Sequence, residues 1–389
     1  MRSKIILAIL ALMCLIGSIT TVSASQETRL NIAFPCLLTP PSIYGNYVTW
    51  SDNAVNGALA YDLKTGKEID IPSGWVSNQN KVPMYGNNIV WSGGGDPYDI
   101  MVYNTATKQT TTLSKGFSPA IYGNIVAFKG DSGIYTYDLS TKKNNQISVS
   151  GTDPQIYGKY IVYADSGKVY IYNISTKQRS LIGATSGQDI RGNVVLDIYG
   201  NFVVWTNKGN IYMRNIETHK TTQITTNGIS ENPAIYDSKI VWNTAPGGSG
   251  EGNIYMYTNG KTTQITKSNR ACSPAIYGNK IVYKDRRNNI YNNEREDLFV
   301  YDLTAKLAKP DATFEANITS GTHPLTVFFS YTENGDMPQS YLWNFGDGKT
   351  STQAWTATHT YTKAGTYTVS LKVTNAVGSS TATKTIKIL

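Results

Sequence analysis

One segment of the chain has the residue types of nucleophilic catalysis. It is GDSG at residues 130–133, in which a serine follows a carboxylate. A serine nucleophile needs a histidine base, and in the chain order that this segment suggests the histidine comes first. The three histidines, His219, His323 and His359, all lie downstream. Because GDSG aligns with ADSGK at 164–168, we interpret it as a hairpin turn.

Two further segments, GKTT at residues 260–263 and GDGKTS at 346–351, place a lysine as in a phosphate-binding loop. Neither has the glycine five residues before GK and neither opens a helix, so backbone amides are not arranged to hold a phosphate. The chain also lacks closely spaced cysteine or histidine pairs of the kind that binds zinc. The sequence therefore predicts no cofactor and no metal site.

Paired carboxylates are the remaining route to an enzyme, because two of them can serve as acid and base on a glycosidic bond. The candidates are Asp96, Asp99, Glu294, Glu296 and Asp297. They fall in predicted loops, where solvated acidic residues are ordinary. The sequence therefore favours a protein that is not an enzyme, with a secreted hydrolase or lyase acting on polysaccharide as the alternative.

Internal repetition is the strongest signal for the elements that position these residues. The phrase PSIYGNYVTW, from residue 41, returns six times with small changes. Its tyrosines are Tyr44, Tyr85, Tyr122, Tyr157, Tyr199, Tyr236 and Tyr277. The aromatic residues six positions later are Trp50, Trp91, Phe128, Tyr163, Trp205, Trp242 and Tyr283. This constancy predicts a tight turn followed by a strand in every copy.

Two more alternating phrases complete each copy, which gives four short strands, a to d, in roughly 35–42 residues, the length of a propeller blade. The predicted fold class is all-β, with a seven-bladed β-propeller over residues 25–309. The seventh copy lacks its last strand. We expect residues 29–32 to supply it, because closing the ring removes an exposed strand edge.

Loop lengths vary on one face of this propeller, the face that carries the b-to-c loops and the d-to-a connections. Variation confined to one face is typical of repeat proteins that bind a partner there. The binding candidates are Trp75, Tyr98, Tyr291, Arg270, Arg286 and Arg287. The aromatics have no counterpart in other copies, and the arginines could hold acidic sugars or protein carboxylates. The tyrosines that recur are predicted to serve packing.

From residue 310 the repeat stops, and alternating strands separated by Gly, Asn and Asp turns follow to residue 389. One tryptophan lies inside the segment WNFGDG. The pattern predicts a β-sandwich of about 80 residues.

Both parts of the chain resemble known families. The IYGN and NIY-x-Y phrases, over about residues 28–308, resemble the TolB-like propeller repeats of archaeal, methanosarcina-type cell-surface proteins. WNFGDG, H-x-Y-x-x-x-G-x-Y-x-V and VTNAVGS resemble the PKD domain, which implies an immunoglobulin-like sandwich used as a spacer or adhesion module. Asn344 stands where that family usually has aspartate, and Asp237 replaces the turn glycine of the sixth propeller copy.

The first residues predict export. Two positive charges precede an apolar run over residues 5–17, and small residues end near 24, so residues 1–24 are a predicted signal peptide. An uncleaved anchor is the alternative. We expect a secreted or cell-surface protein with no membrane span after cleavage.

Export also makes covalent modifications relevant. Cys36 and Cys272 are the cysteines left after cleavage, and in an oxidising compartment they are a candidate disulfide. Asn173 and Asn317 begin Asn-x-Ser/Thr glycosylation acceptor sequences.

The net charge of +8 is spread out and never forms a basic run, so a nucleic-acid partner is poorly supported. The predicted partner is a protein or polysaccharide of the cell envelope. The domain order is signal peptide (1–24), propeller (25–309) and PKD domain (310–389). The function predicted from these features is non-catalytic binding and scaffolding at the cell surface, in association with a surface layer.

Overall fold

The computed structural model of the chain describes residues 26–32, 39–52, 57–76, 81–95, 97–186, 195–287, 296–332, 336 and 338–389. Within these ranges every four-stranded sheet is antiparallel, and there are seven of them, one for each copy of the repeat. No helix in the described ranges has the length and apolar character needed to cross a membrane. The predictions for the signal peptide, Cys36, Asp96, Tyr291 and Glu294 concern residues outside these ranges.

The strands follow the predicted order in the first three copies. Strand β1 is Glu27–Arg29. The first copy forms β2 (Ser42–Tyr44), β3 (Tyr47–Asp52), β4 (Gly57–Asp62) and β5 (Lys67–Asp70). The second forms β6 (Met84–Tyr85), β7 (Asn88–Gly93), β8 (Asp99–Asn104) and β9 (Gln109–Lys115). The third forms β10 (Phe117–Tyr122), β11 (Ile125–Gly130), β12 (Gly133–Asp138) and β13 (Lys143–Ser148).

The remaining copies repeat this arrangement. The fourth forms β14 (Thr152–Tyr157), β15 (Tyr160–Asp165), β16 (Lys168–Asn173) and β17 (Gln178–Ala184). The fifth forms β18 (Leu196–Tyr199), β19 (Phe202–Asn207), β20 (Asn210–Asn215) and β21 (Thr221–Gln223). The sixth forms β22 (Ser230–Tyr236), β23 (Lys239–Thr244), a 3-10 turn (Pro246–Gly248), β24 (Ile254–Thr258) and β25 (Lys261–Gln264). The seventh forms β26 (Ala271–Tyr277), β27 (Lys280–Asp285) and β28 (Asp297–Asp302).

The N-terminal strand β1 completes the seventh sheet, as predicted. It pairs antiparallel with β28, and Thr28 lies opposite Val300. The strand itself begins two residues earlier than the TTQI-like segment suggested. Leu30 and Ile32, which belong to that segment, instead pack into the apolar cluster between the seventh and first sheets, beside Trp50. Their burial adds apolar contact to the strand pairing at the closure.

Apolar clusters hold the sheets together around the ring. Each of the seven clusters in the described part of the propeller joins two consecutive sheets, and one of them joins the seventh sheet to the first. The aromatic residue of each b strand is at their centre. Trp50, Trp91 and Phe128 are 0–1% exposed, and the other four are equally enclosed. These positions recur because a buried large side chain between neighbouring sheets is what each copy contributes to the core.

The recurring tyrosines form a closed circle, here named the tyrosine ring, at the ends of the innermost strands. Neighbouring ring centroids are 4.6–5.1 Å apart, and Tyr277 contacts Tyr44 to close the circle. The turn glycine after the tyrosine has a positive φ, as at Gly45 (61°), and Asp237 adopts 54° in the sixth copy. Aspartate tolerates this left-handed conformation, which explains the departure from glycine.

The C-terminal residues form a sandwich of two sheets, as predicted. One sheet has the order β29 (Phe314–Ala316), β31 (Leu325–Tyr331), β34 (Thr356–Tyr361). The other has the order β30 (Ser320–Gly321), β36 (Ser379–Ile388), β35 (Gly365–Thr374), β32 (Ser340–Asn344), β33 (Thr350–Ser351). Trp343 is fully buried between the sheets, with Phe329 beside it. The Tyr361 hydroxyl donates a hydrogen bond to the Phe345 carbonyl at 2.9 Å.

Candidate functional site

The b-to-c loops and d-to-a connections lie on one face of the propeller, because successive strands of each sheet run antiparallel. We call this the loop face. Trp75 follows β5, Tyr98 precedes β8, and Arg270 precedes β26, so all three are in loops of this face. Arg286 and Arg287 follow β27 and share it.

Three aromatic side chains meet on the loop face. The Trp75 and Tyr98 ring centroids are 5.1 Å apart, and those of Tyr98 and Phe117 are also 5.1 Å apart. Trp75 is 42% exposed, while the other two are half-buried. These three residues are named the aromatic cluster. Phe117 was not among the sequence candidates, although it is the one aromatic at the position five residues before the repeat tyrosine, so its uniqueness was a usable signal.

Backbone contacts fix the aromatic cluster. The Gly94 amide donates to the Trp75 carbonyl at 3.0 Å, and the Gly116 amide donates to the Tyr98 carbonyl at 2.8 Å. A Cβ on Gly93 would come within 2.2 Å of the Trp75 carbonyl oxygen, so only glycine allows this approach. The segment that carries Trp75 is therefore seated directly on the end of β7.

Arg287 is a correction to the sequence interpretation. It was expected to contact a partner, but its side chain is 1% exposed. Its Nη1 and Nη2 donate to Glu27 at 3.0 and 2.9 Å, and Nη2 also donates to Asp285 at 2.5 Å. The guanidinium lies 4.2 Å from the Phe299 ring centroid. The arginine therefore clamps the N-terminal strand onto the seventh sheet, and pairing of that strand is what buries it.

The other two arginines differ from each other. Arg286 is 36% exposed and its guanidinium is paired with Glu296 and Glu251, each at 2.7 Å. Burial acts to lower the pKa of Arg286, but these two carboxylates outweigh it and raise that pKa. Arg270 is exposed. Of the three arginines, Arg270 is the one whose side chain is most open to solvent on the loop face.

Three of the five carboxylates that could have formed a catalytic pair are among the described residues, and these three are engaged in ion pairs. Asp99 lies 2.9 Å from Lys115, and Asp297 lies 2.9 Å from Arg29. Glu296 lies 3.0 Å from Lys284 and also binds Arg286. Within the described residues, no three His, Cys, Asp or Glu side chains are grouped as they would be around a metal ion.

The serine of GDSG is in a hairpin between β11 and β12, as interpreted. Its hydroxyl lies 3.0 Å from the Tyr135 hydroxyl and accepts a hydrogen bond from Gln146 at 3.2 Å. These partners hold the hairpin closed and include no histidine.

Cys272 is buried in β26, and its thiol has no disulfide partner among the described residues. Burial, with smaller effects of neighbouring charges, raises its pKa to about 11. Cys36 lies outside the described residues, so the disulfide stays a prediction.

The two glycosylation acceptors have different surroundings. The Asn173 Oδ1 accepts hydrogen bonds from the Ser175 and Thr176 amides at 3.0 and 3.3 Å, and Asn104 forms the same turn in the second copy. The hydrogen bonds of its side chain within the turn therefore explain why position 173 is asparagine. Asn317 is exposed, and its Oδ1 accepts from the Phe328 amide at 2.8 Å.

A cavity, separate from the aromatic cluster, lies along the axis of the propeller. It is a cavity of about 300 Å³ lined by the innermost strands, the tyrosine ring, Lys81, Gln155 and Asp197. We call it the central channel. Asp197 occupies the position two residues before the repeat tyrosine, where the other copies have Ser, Pro, Ala or Gln. The sequence reasoning treated the tyrosines as packing groups, so it did not identify the cavity that they border.

The C-terminal part of the chain matches a known domain family and a known protein. Residues 307–389 match the PKD domain family. The chain is 41% identical over 87 residues to the pre-pro-metalloprotease PrtV of Vibrio cholerae, a match that covers 22% of this chain and 9% of that protein. The chain thus matches less than a tenth of the length of this relative.

Solved structures resemble the propeller. The oligogalacturonate lyase of Vibrio parahaemolyticus matches with a TM-score of 0.53 at 11% identity, over 71% of this chain and 93% of that one. TolB of Acinetobacter baumannii has a TM-score of 0.41 at 15% identity, over 68% and 79% of the two chains. At 11% identity the likeness to the lyase concerns the fold alone.

The chain therefore combines an all-β, propeller-like body with a C-terminal PKD domain, a combination that indicates an extracellular protein with a binding or scaffolding role. PrtV and TolB in these comparisons come from bacteria, and the archaeal, methanosarcina-type origin stays a prediction.

Proposed function

We propose that this chain is a secreted, non-catalytic binding and scaffolding protein of the cell surface, associated with a surface layer. The loop face of the propeller binds a protein or polysaccharide of the envelope, and the PKD domain acts as a spacer. The observation that carries this proposal is the aromatic cluster of Trp75, Tyr98 and Phe117.

Tryptophan and tyrosine dominate the energetics of binding surfaces because each offers a large apolar area with few rotatable bonds. Trp75 remains 42% exposed although it is in contact with Tyr98. The contact at Gly93 and the Gly94 hydrogen bond hold its backbone before any partner arrives. Because this backbone is already fixed, partner binding loses less conformational entropy than it would with a tryptophan on an unconstrained loop.

The ion pairs of Asp99, Glu296 and Asp297 support the non-catalytic part of the proposal. A carboxylate that acts as acid or base has to exchange a proton with substrate. These three are instead neutralised by neighbouring cations, which gives them a structural role.

The test is attachment of the purified full-length chain to washed envelopes. Ala in place of Trp75 or Tyr98 should weaken attachment by more than about 1 kcal/mol, with thermal unfolding unchanged. The matched control is Leu181→Ala, because Leu181 is 54% exposed on an outer strand of the fourth sheet.

Full attachment by both aromatic variants would contradict the proposed surface. Polysaccharide cleavage that is lost in Asp96→Asn or Glu294→Gln would contradict the non-catalytic assignment and support the hydrolase or lyase alternative.

A further inference from the structure

Tyrosine, carboxylate and ammonium groups follow one another in a fixed order along the axis of the central channel. The tyrosine ring borders one end, at the turns opposite the loop face. Asp197 lies two residues before Tyr199, about 7 Å deeper along an extended strand. Lys81 lies four residues before Tyr85, toward the loop face. A molecule that enters past the tyrosines therefore meets a carboxylate before it meets an ammonium group.

Asp197 is held rigidly and keeps accepting capacity. Its Oδ1 accepts from the Ile198 amide at 2.8 Å and its Oδ2 from the Ile235 amide of the next sheet at 2.9 Å. A carboxylate has about four lone-pair positions, so two remain after these bonds. Burial raises the pKa of Asp197, while Lys81 and the two amides act in the opposite direction. The charge of Lys81 lowers the pKa of Asp197 from a distance, because no ion pair joins these two described residues.

The tyrosine ring borders the axis with aromatic and phenolic groups. With neighbouring centroids 4.6–5.1 Å apart in a closed circle of seven, each ring centroid lies about 5.5 Å from the axis, which leaves the ring edges within contact distance of an alkyl chain on that axis. Each phenol oxygen also offers lone pairs. A phenol is neutral near pH 7 at its ordinary pKa, and burial and neighbouring hydroxyls raise the pKa of Tyr199 further. The circle thus combines aromatic surface with oxygen acceptors.

We propose that the central channel binds a primary alkylammonium group, which enters through the tyrosine ring and donates hydrogen bonds to Asp197. The alkyl part lies among the tyrosine rings, and the ammonium replaces some of the solvation that the Asp197 carboxylate loses on burial. Lys81 repels the same cation from the loop-face end, so occupancy is confined to the tyrosine side of the channel. This site is separate from the aromatic cluster.

The test is titration of the purified full-length chain with n-butylammonium by calorimetry and ligand-observed NMR, with n-butanol as the uncharged comparison. We expect saturable binding of the amine and none of the alcohol. Asp197→Asn should weaken binding by about tenfold or more, the effect of losing one charge-assisted hydrogen bond. Lys81→Gln should tighten binding, because it removes a competing positive charge.

Two more variants keep the test informative if the Asp197→Asn variant does not fold. Gln155→Lys places an ammonium in the channel from the neighbouring sheet and should abolish amine binding in a folded protein. Asp131→Asn removes an exposed carboxylate outside the channel and should leave binding unchanged. Nα-acetyl-lysine methylamide distinguishes the two possible origins of the bound ammonium group. Tight binding of this compound indicates the lysine side chain of a partner protein. Binding of butylammonium alone indicates a small free amine.

The proposal is overturned if the wild type shows no saturable amine binding, if n-butanol binds equally well, or if Asp197→Asn and Gln155→Lys bind like the wild type.

Discussion

At the scale of single residues, the same type of side chain has different roles in different copies. Arg287 is enclosed and binds Glu27 and Asp285, whereas Arg179 of the fourth sheet pairs with Asp165 while 36% exposed. Buried pairs are costly to break because the remaining charge stays desolvated, while exposed pairs contribute little. The two arginines therefore allow a direct comparison.

Arg287→Met should lower the free energy of unfolding by about 3–5 kcal/mol, because it leaves the Glu27 carboxylate buried without its cation. Arg179→Met is the matched control and should cost about 1 kcal/mol or less. Urea denaturation followed by far-UV circular dichroism measures both. Equal costs for the two substitutions would contradict the assignment of Arg287 as the clamp of the closure strand.

At the scale of elements, loops of the loop face are fixed by contacts with strand ends. The segment at Trp75 forms an isolated bridge between Val76 and Gly93, the last residue of β7. The position of the exposed aromatic ring thus depends on a glycine at the end of β7, eighteen residues further along the chain. The aromatic cluster is in this sense a property of the loop and of the strand end on which it lies.

Gly93→Ala should displace the Trp75 segment, since its Cβ would lie 2.2 Å from the Trp75 carbonyl oxygen. We expect weaker envelope attachment and a shifted tryptophan emission spectrum. Gly95→Ala is the control, because the nearest atom to its Cβ is the Lys115 ammonium at 3.8 Å, an ordinary contact. If both variants attach like the wild type, the close approach at Gly93 does not position the binding surface.

At the scale of the whole molecule, the closure strand also contacts the PKD domain. Asp336 is 1% exposed and accepts hydrogen bonds from the Glu27 amide, at 2.9 Å, and from the Ala308 amide. Asn375 donates to the Ala308 carbonyl at 2.6 Å. One carboxylate of the sandwich thus binds both the first strand of the propeller and the segment that follows its last strand.

Asp336→Ala should therefore destabilise the propeller as well as the PKD domain. The buried Glu27 amide and the half-buried Ala308 amide lose their acceptor, at a cost of about 1–3 kcal/mol for the buried one and less for the other. Scanning calorimetry should show the propeller transition at a lower temperature. Asp311→Ala removes an exposed carboxylate of the same domain and should leave that transition in place. An unchanged transition in Asp336→Ala would mean that the two domains unfold independently.

The sequence by itself determined the strands, the turns and the buried aromatics. The period-two pattern and the tyrosine, turn and aromatic spacing are local, and recurrence in seven copies separates the structural positions from the variable ones. It also selected Trp75 and Tyr98 as binding candidates, because they lacked counterparts in the other copies, and their role in binding stays a prediction.

Only the tertiary structure decided which of the remaining candidates are accessible and where they converge. Arg287 was predicted to be accessible to a partner, but a strand some 260 positions earlier buries it, and no local pattern reports such a long-range pairing. Phe117 joins Trp75 and Tyr98 because three segments meet in space. The central channel exists because seven sheets close into a circle, which gives packing tyrosines a second face toward a shared cavity and sets Asp197 within it.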